Sequence, residues 1–420
     1  MKLRYIYSAC VCIESDQAKI VSDPWFTQGA FDGSWYQYPR LQKNAVEVIG
    51  RVDAIYISHI HPDHYDPMFL REYLSCYSDT PIIIGKFDPP FLLNKMRIDG
   101  FKPEVVDSDT CGDLTFRIAR NRAYNLNIDS AMAVTDGCNV VYNMNDNPFD
   151  EDQVQELREI APQAGTSMLL APFTGAGPYP QTYIFDSETE QLEEGAKKKQ
   201  DFFDRFKHYI DAFEPDVVLP FAGKYWLAGP LSRLNPLRGF SDPVEAIGVD
   251  PERVIVLEDG GQAYYDLDTR SASALRAEPY DNADIDRVIA ENWAGQYNYE
   301  IEINPKPDRQ LPIAPLLVAA TEAATRRIKV EGPHWFCFKT YDSEQFLCVN
   351  PFEGSALNRR ESVEELTPRT EIYLDARYLF GLLTRLYHWN NAEIGSHYMC
   401  RRMPNVYHRS HYNFLSMLHV

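Results

Sequence analysis

The chain has 420 residues, a formal net charge of −20, 45% hydrophobic residues and 24% charged residues. This length exceeds what one hydrophobic core normally organises, so two domains are expected, of soluble globular composition. The acidic balance argues against nucleic acid and anionic membranes as partners, although a single cationic pocket could still receive an anionic substrate.

Residues 3–150 alternate short β-type runs with turns. Leu3–Tyr7, Val11–Glu14 and Ala18–Val21 predict a meander closed by Ser22-Asp23-Pro24, and Ala54–Ile57, Ile82–Ile84, Leu114–Ile118, Ala131–Val134 and Val140–Tyr142 predict further strands. Pro67 to Tyr77 reads as a helix, and Met168–Ala171 as a strand feeding the loop Pro172–Pro180. From Gln191 to Phe213, Phe202, Phe206, Tyr209, Ile210 and Phe213 recur at helical spacing. Val217–Pro220 and Val254–Leu257 are further strand candidates. Residues 268–312 are polar and proline-containing and are expected to link a catalytic domain at 1–267 to an accessory domain at 313–420. In that second domain Ile313–Thr325 reads as a helix, Trp335–Lys339 and Phe346–Asn350 as a hairpin, and Tyr378–Tyr387 as a helix. Strands followed by strands and helices in alternation predict a layered α/β core.

The eight cysteines show no repeated Cys-x-x-Cys spacing, so reduced thiols and a cytoplasmic location are expected. The opening strand-like segment is read as no signal peptide, and no apolar run reaches membrane-spanning length.

The densest chemistry lies in Ile57-Ser58-His59-Ile60-His61-Pro62-Asp63-His64-Tyr65-Asp66, where three imidazoles and two carboxylates follow a buried-type strand. His59 and His61 are two residues apart and share a side of an extended chain, while Asp63 and His64 fall in the turn and can face a second centre. Neutral imidazole and carboxylate are ligands for zinc, iron or manganese, so a dinuclear metal site is expected.

His59-x-His61-x-Asp63-His64 resembles the signature of the metallo-β-lactamase superfamily, which implies an αββα sandwich here joined to a smaller C-terminal α+β domain. Ser22-Asp23-Pro24-Trp25, Asn127-Ile128-Asp129-Ser130-Ala131 and Asn143-Met144-Asn145-Asp146 resemble the branch of ascorbate-6-phosphate lactonases and phospholipase-D-like enzymes. Gly29–Trp35, Gly177-Pro178-Tyr179-Pro180 and Leu219–Tyr225 look most like the catalytic domain of the CMP-N-acetylneuraminate hydroxylase family, and the superfamily likeness spans roughly residues 1–265. Residues 313–420 resemble a sterol-carrier-like module. The resemblance implies His59, His61, Asp63, His64 and Asp146 as ligands, with Asp146 bridging two metals. It also implies a further histidine downstream, yet no histidine occurs between His64 and His208. Asn125, Asn127 or Asp129 supplies an oxygen there, or water does. An oxygen-rich set favours iron or manganese over zinc, and iron is the expected metal, with zinc and manganese as alternatives.

Around these ligands, Asp66 is expected to hydrogen-bond a ligand imidazole, and Asp23 to orient water or a ligand. Trp35, Tyr36 and Tyr179 are candidates for overhanging a substrate, and Lys224, Tyr225 and Arg233 for anchoring its carboxylate or phosphate. The expected activity is a diiron hydroxylase using O2 on a small metabolite. It would be fed by an external donor such as a ferredoxin or reductase, since no Rieske motif occurs in the chain. The alternative is a hydrolase of a phosphodiester, lactone or amide using a bridging hydroxide. The C-terminal region is expected to complete the pocket, dock a partner or form a homodimer interface.

Overall fold

The computed structural model describes residues 1–123, 128–162, 165–303 and 310–420. Two sheets face each other. The first has eight strands, in the spatial order Ser271–Ala272, Tyr264–Asp266, Lys2–Tyr7, Cys10–Glu14, Lys19–Ser22, Ala54–Ile57, Ile82–Ile84 and Glu104–Val105. The second has six, in the order Val217–Phe221, Ser167–Pro172, Val140–Asn143, Ser130–Thr135, Leu114–Arg120 and Ser108–Cys111. Leu3, Val11, Ile20 and Tyr56 of the first sheet meet Phe116, Met132, Val141 and Leu170 of the second in one buried core.

Helices cover both outer faces. Phe69, Leu70 and Tyr73 of the helix Pro67–Cys76 pack on the first sheet. Phe206, Tyr209, Ile210 and Phe213 of the helix Glu188–Phe213 pack on the second. The long helix begins where the Ser187 side chain accepts the N–H of Glu190 and ends at Glu214, whose φ of 48° breaks the turn. Strands covered on both faces are apolar at every position, as in Ala54–Ile57 and Ile82–Ile84, because neither face meets water. The four layers are thus the expected αββα sandwich.

Two local expectations are corrected. Val254–Leu257 forms no strand: Val254 makes one bridge to Val218, and Leu257 instead bridges Leu275 as the chain swings away. Within 268–312, Asn282–Asn292 and Asn298–Glu302 are helical, because Ile285 and Ile289, one helical turn apart, bury against Tyr38 and Trp226.

The C-terminal residues build a five-stranded sheet in the order Asn358–Arg360, Phe346–Val349, Trp335–Thr340, Arg369–Leu374 and Met399–Met403. Helices Ile313–Arg327, Ala376–Leu383 and Arg409–Ser416 pack on it. This part is tied to the loop around residues 31–35. His397 Nε2 donates to the Phe31 carbonyl at 2.8 Å, Tyr378 Oη donates to Asp32 at 2.7 Å, and Trp35 Nε1 donates to the Ile394 carbonyl at 3.2 Å. No helix among the described residues is long and apolar enough to cross a membrane.

Candidate metal centre

The histidine motif sits where the parallel strand Ala54–Ile57 ends, beside the end of its neighbour Lys19–Ser22. Asp23, the next residue of that neighbour, is fully buried at φ 40°. Its Oδ1 accepts the Ser58 N–H at 2.8 Å, and its Oδ2 accepts Ser58 Oγ at 2.6 Å and His64 Nδ1 at 2.9 Å. Ser58 Oγ in turn lies 2.9 Å from His59 Nδ1. The network assigns the proton of both imidazoles to Nδ1 and leaves both Nε2 atoms free as lone-pair donors.

Those lone pairs point at carboxylates carried by the second sheet. Asp129 precedes the strand Ser130–Thr135, and Asp146 follows Val140–Asn143 through Asn145, whose φ is 54°. Asp146 Oδ1 lies 3.8 Å from His59 Nε2, while its Oδ2 lies 3.6 Å from His64 Nε2. Asp63 Oδ2 is 3.4 Å from His64 Nε2, and Asp129 Oδ1 is 3.9 Å from His59 Nε2. His61 turns its Nδ1 to within 2.9 Å of His59 Nε2. His59, His61 and Asp129 form one group able to hold a metal, and His59, His64 and Asp146 another. The centre therefore straddles the two sheets at their common edge.

Its electrostatics fit a bound cation. His64 Nε2, Asp129 Oδ1 and Asp146 Oδ1 are buried without a hydrogen-bond partner among the described residues, an arrangement native proteins rarely leave uncompensated. Burial, and then the Asp146 charge, push the Asp129 carboxyl up to about 7. Burial opposes the charge of Asp146, but His59 and His64 outweigh it and hold this carboxyl below its usual range. Burial likewise opposes a charged His64, yet Asp63, Asp146 and Asp23 raise its pKa well above the ordinary value, so that a bound metal would displace a proton from Nε2 to use that lone pair. Burial first, and then the neighbouring imidazole, lower His59 and His61, which favours the neutral form that ligates metal.

Other expected site residues fall elsewhere. Asp66 touches no ligand imidazole. It caps the helix Pro67–Cys76 through the N–H groups of Met68 and Phe69, and also accepts from Phe26 N, Thr27 N and Thr27 Oγ1, which fills its oxygens. The imidazole-orienting carboxylate is Asp23. Trp35 is buried and stacks on Tyr225 with ring centroids 3.3 Å apart and planes 2° from parallel. Tyr36 is buried too, with Oη accepting the Ala294 N–H at 3.2 Å. These rings are core rather than an open lid. Lys224 is buried against Asp259 and Tyr280 Oη, an internal ion pair with no exposed cation to offer a substrate. Tyr179 donates to Glu194 at 2.7 Å beside a cavity of about 440 Å³. Arg233 is exposed on the wall of a larger cleft. Asn125 and Asn127 lie outside the described residues.

One contact had no signal in the sequence. Asn390, on the C-terminal helix Trp389–Ile394, meets His61 Nε2 at 3.0 Å.

Residues 2–150 match the family described as beta-lactamase superfamily domain. This stretch is a metallo-β-lactamase superfamily domain. The matched segment is shorter than the 1–265 expected from motifs. A protein of Mycolicibacterium smegmatis, provisionally named a Rieske 2Fe-2S iron-sulfur protein, is 30% identical over 270 residues, which is 61% of this chain and 49% of that protein. The cytidine monophosphate-N-acetylneuraminic acid hydroxylase of Danio rerio is 22% identical over 236 residues, 55% of this chain and 39% of its own. The chain spans about half the length of the first of these relatives, or less. A metallo hydrolase of Ignicoccus hospitalis superposes with a TM-score of 0.41 at 16% identity, over 63% of this chain and 98% of its own.

Proposed function

We propose that the centre binds two divalent metal ions, that these are irons, and that the protein is an O2-dependent hydroxylase of a small organic molecule. One observation carries this reading: Asp146 presents one oxygen to His59 and the other to His64, in a site where carboxylates are as numerous as imidazoles. A carboxylate with its two oxygens turned to two imidazoles is placed to bridge. Two histidines and one carboxylate with open positions serve both non-haem iron oxygenases and catalytic zinc sites, and the further carboxylate oxygens present here favour iron. In this assignment His59 and His61 would hold the first metal with Asp129, and Asp63 and His64 would hold the second.

When bound, the iron pair supplies the reductive activation of O2. The chain's own residues fix the ligands: Asp23 and Ser58 hold the tautomers of His64 and His59, and Asn390 that of His61. Hydroxylation takes two electrons from a donor outside the substrate. A ferredoxin, a reductase or a Rieske centre fits that role, and the resemblance to proteins named as Rieske iron-sulfur proteins and as a hydroxylase supports it. In the same reading residues 1–267 are the catalytic unit and 313–420 cover its metal centre through Asn390.

Metal analysis of protein prepared without added metal tests this directly. About two irons per chain, with a visible absorption band bleached by dithionite, are expected. Two zincs, with turnover of a phosphodiester or lactone in the absence of O2, would establish a hydrolase instead.

A further inference from the structure

An open cleft of about 960 Å³ lies among residues 229–240, residues 279–293 and the helix Glu188–Phe213. Arg238 lines it and is only 3% exposed. Its Nη1 donates to the Tyr225 carbonyl at 2.9 Å and its Nε to the Asn235 carbonyl at 3.4 Å. The guanidinium lies 4.5 Å from the Tyr225 ring centroid and 4.6 Å from that of Phe240. Among the described residues no carboxylate pairs with it. Of the acids on the same walls, Asp242 pairs with Arg276 and Glu245 with Lys199, while Asp286 is exposed to solvent.

A buried charge without a counter-charge is costly, and a guanidinium fork is the group best shaped to take an oxyanion in two parallel hydrogen bonds. The cleft also holds an unused neutral donor, since Trp293 Nε1 is buried without an acceptor. Trp226, Phe240 and Tyr280 supply flat apolar wall. Arg238 without a carboxylate and Trp293 Nε1 without an acceptor thus leave two buried donors on the walls of one cleft.

We propose that this cleft is a binding pocket for an organic anion, with a carboxylate or phosphate on the Arg238 guanidinium, a polar acceptor on Trp293 Nε1, and a ring or chain against Trp226, Phe240 and Tyr280. The pocket does not depend on which metals the centre holds or which reaction it runs.

Titration calorimetry of the full chain with benzoate, phenyl phosphate and benzyl alcohol tests it, with and without chelator. Either anion should bind at least about tenfold more tightly than the alcohol, as expected where a charge-assisted bond is made, and the better anion identifies carboxylate or phosphate as the natural head group. Arg238→Gln should weaken anion binding about tenfold or more. Trp293→Phe, which keeps the ring and removes the N–H, should weaken it several-fold. Where Arg238→Gln does not fold, the Trp293→Phe variant and the preference for anion over alcohol decide the matter. Equal affinity for alcohol and anions, wild-type binding by both variants, or a preference that vanishes when chelator strips the metals would overturn the proposal.

Discussion

Asn390 Oδ1 accepts a hydrogen bond from His61 Nε2 at 3.0 Å across a separation of 329 residues. Because Nε2 is the donor, Nδ1 carries the lone pair, and that atom faces His59 Nε2. Asn390 is itself held by Nδ2 donating to Tyr412 Oη at 3.4 Å. The C-terminal part of the chain thus sets the tautomer of a ligand in the N-terminal part. Loss of such an orienting partner commonly costs ten- to a hundredfold in metal affinity, so Asn390→Ala should lower affinity by about that factor with the fold intact. Competition against a chromophoric chelator measures it, and wild-type affinity in the variant would show that the contact does not orient His61.

Asp146 and Asp129 should behave differently although both are carboxylates of one site. Asp146→Ala removes the group facing both His59 and His64, and metal content should fall from about two per chain to below about one. Asp129→Asn keeps a ligand oxygen and removes a carboxyl whose pKa burial, and then the Asp146 charge, already push up to about 7, so it should retain the metals with weakened affinity. His61→Ala should abolish metal-dependent activity, as should Asp146→Ala. Elemental analysis beside an activity assay separates these outcomes, and full metal content in Asp146→Ala would remove the bridging assignment.

The pattern of what could be read from the sequence has a physical basis. His59, His61, Asp63 and His64 are legible because one strand end and one turn place them together, so spacing alone brings their side chains near each other. Apolar strands and the 188–213 helix are legible for the same local reason. Asp146 needed a family resemblance, because its approach depends on how two sheets stack. Asp129 stood among three candidates for one position. Asp66, Trp35, Tyr36 and Lys224 read as site residues from their place beside the motif or within family-like blocks, but their partners are helix N–H groups, a neighbouring ring, a backbone N–H and a buried carboxylate respectively. Such partners are set by tertiary packing. Asn390 and Arg238 carry no local pattern whatever, since each owes its position to chain folded far away in sequence.

Lys224 offers a test that separates structure from chemistry. Burial lowers its pKa even with Asp259 beside it, and burial raises that of Asp259. Removing one member leaves the other charged and dry, so Lys224→Met should cost about 3–5 kcal/mol of stability, and adding Asp259→Leu should restore much of it. Urea denaturation measures both variants. Metal content should be unchanged wherever the protein folds. If Lys224→Met is as stable as wild type, the pair is not an internal ion pair.

The last prediction concerns acid stability and His397. This imidazole is 5% exposed, and burial pushes its pKa down to about 4 from 6.5, against the raising effect of its bond to the Phe31 carbonyl. The unfolded chain therefore takes up the proton as pH falls below about 6.5 while the folded chain refuses it until about 4, so the unfolded state binds more protons across that window. Stability from this group is complete above the unfolded pKa, declines as pH falls toward 4, and is constant below that. The slope is at most about 1.4 kcal/mol per pH unit. Half-buried His411 and buried His334, lowered by burial to about 4 and about 3, act in the same direction. Asp32 and Glu393, raised by burial to about 6 and about 7, act in the opposite one, since their neutral folded forms favour low pH. The wild-type profile is a sum of these terms, so the informative measurement is a difference. His397→Gln keeps an N–H donor for Phe31 and removes the titration, and its urea midpoint should fall less steeply than that of wild type between about pH 6.5 and 4. Parallel profiles would mean that His397 titrates alike in the folded and unfolded chain.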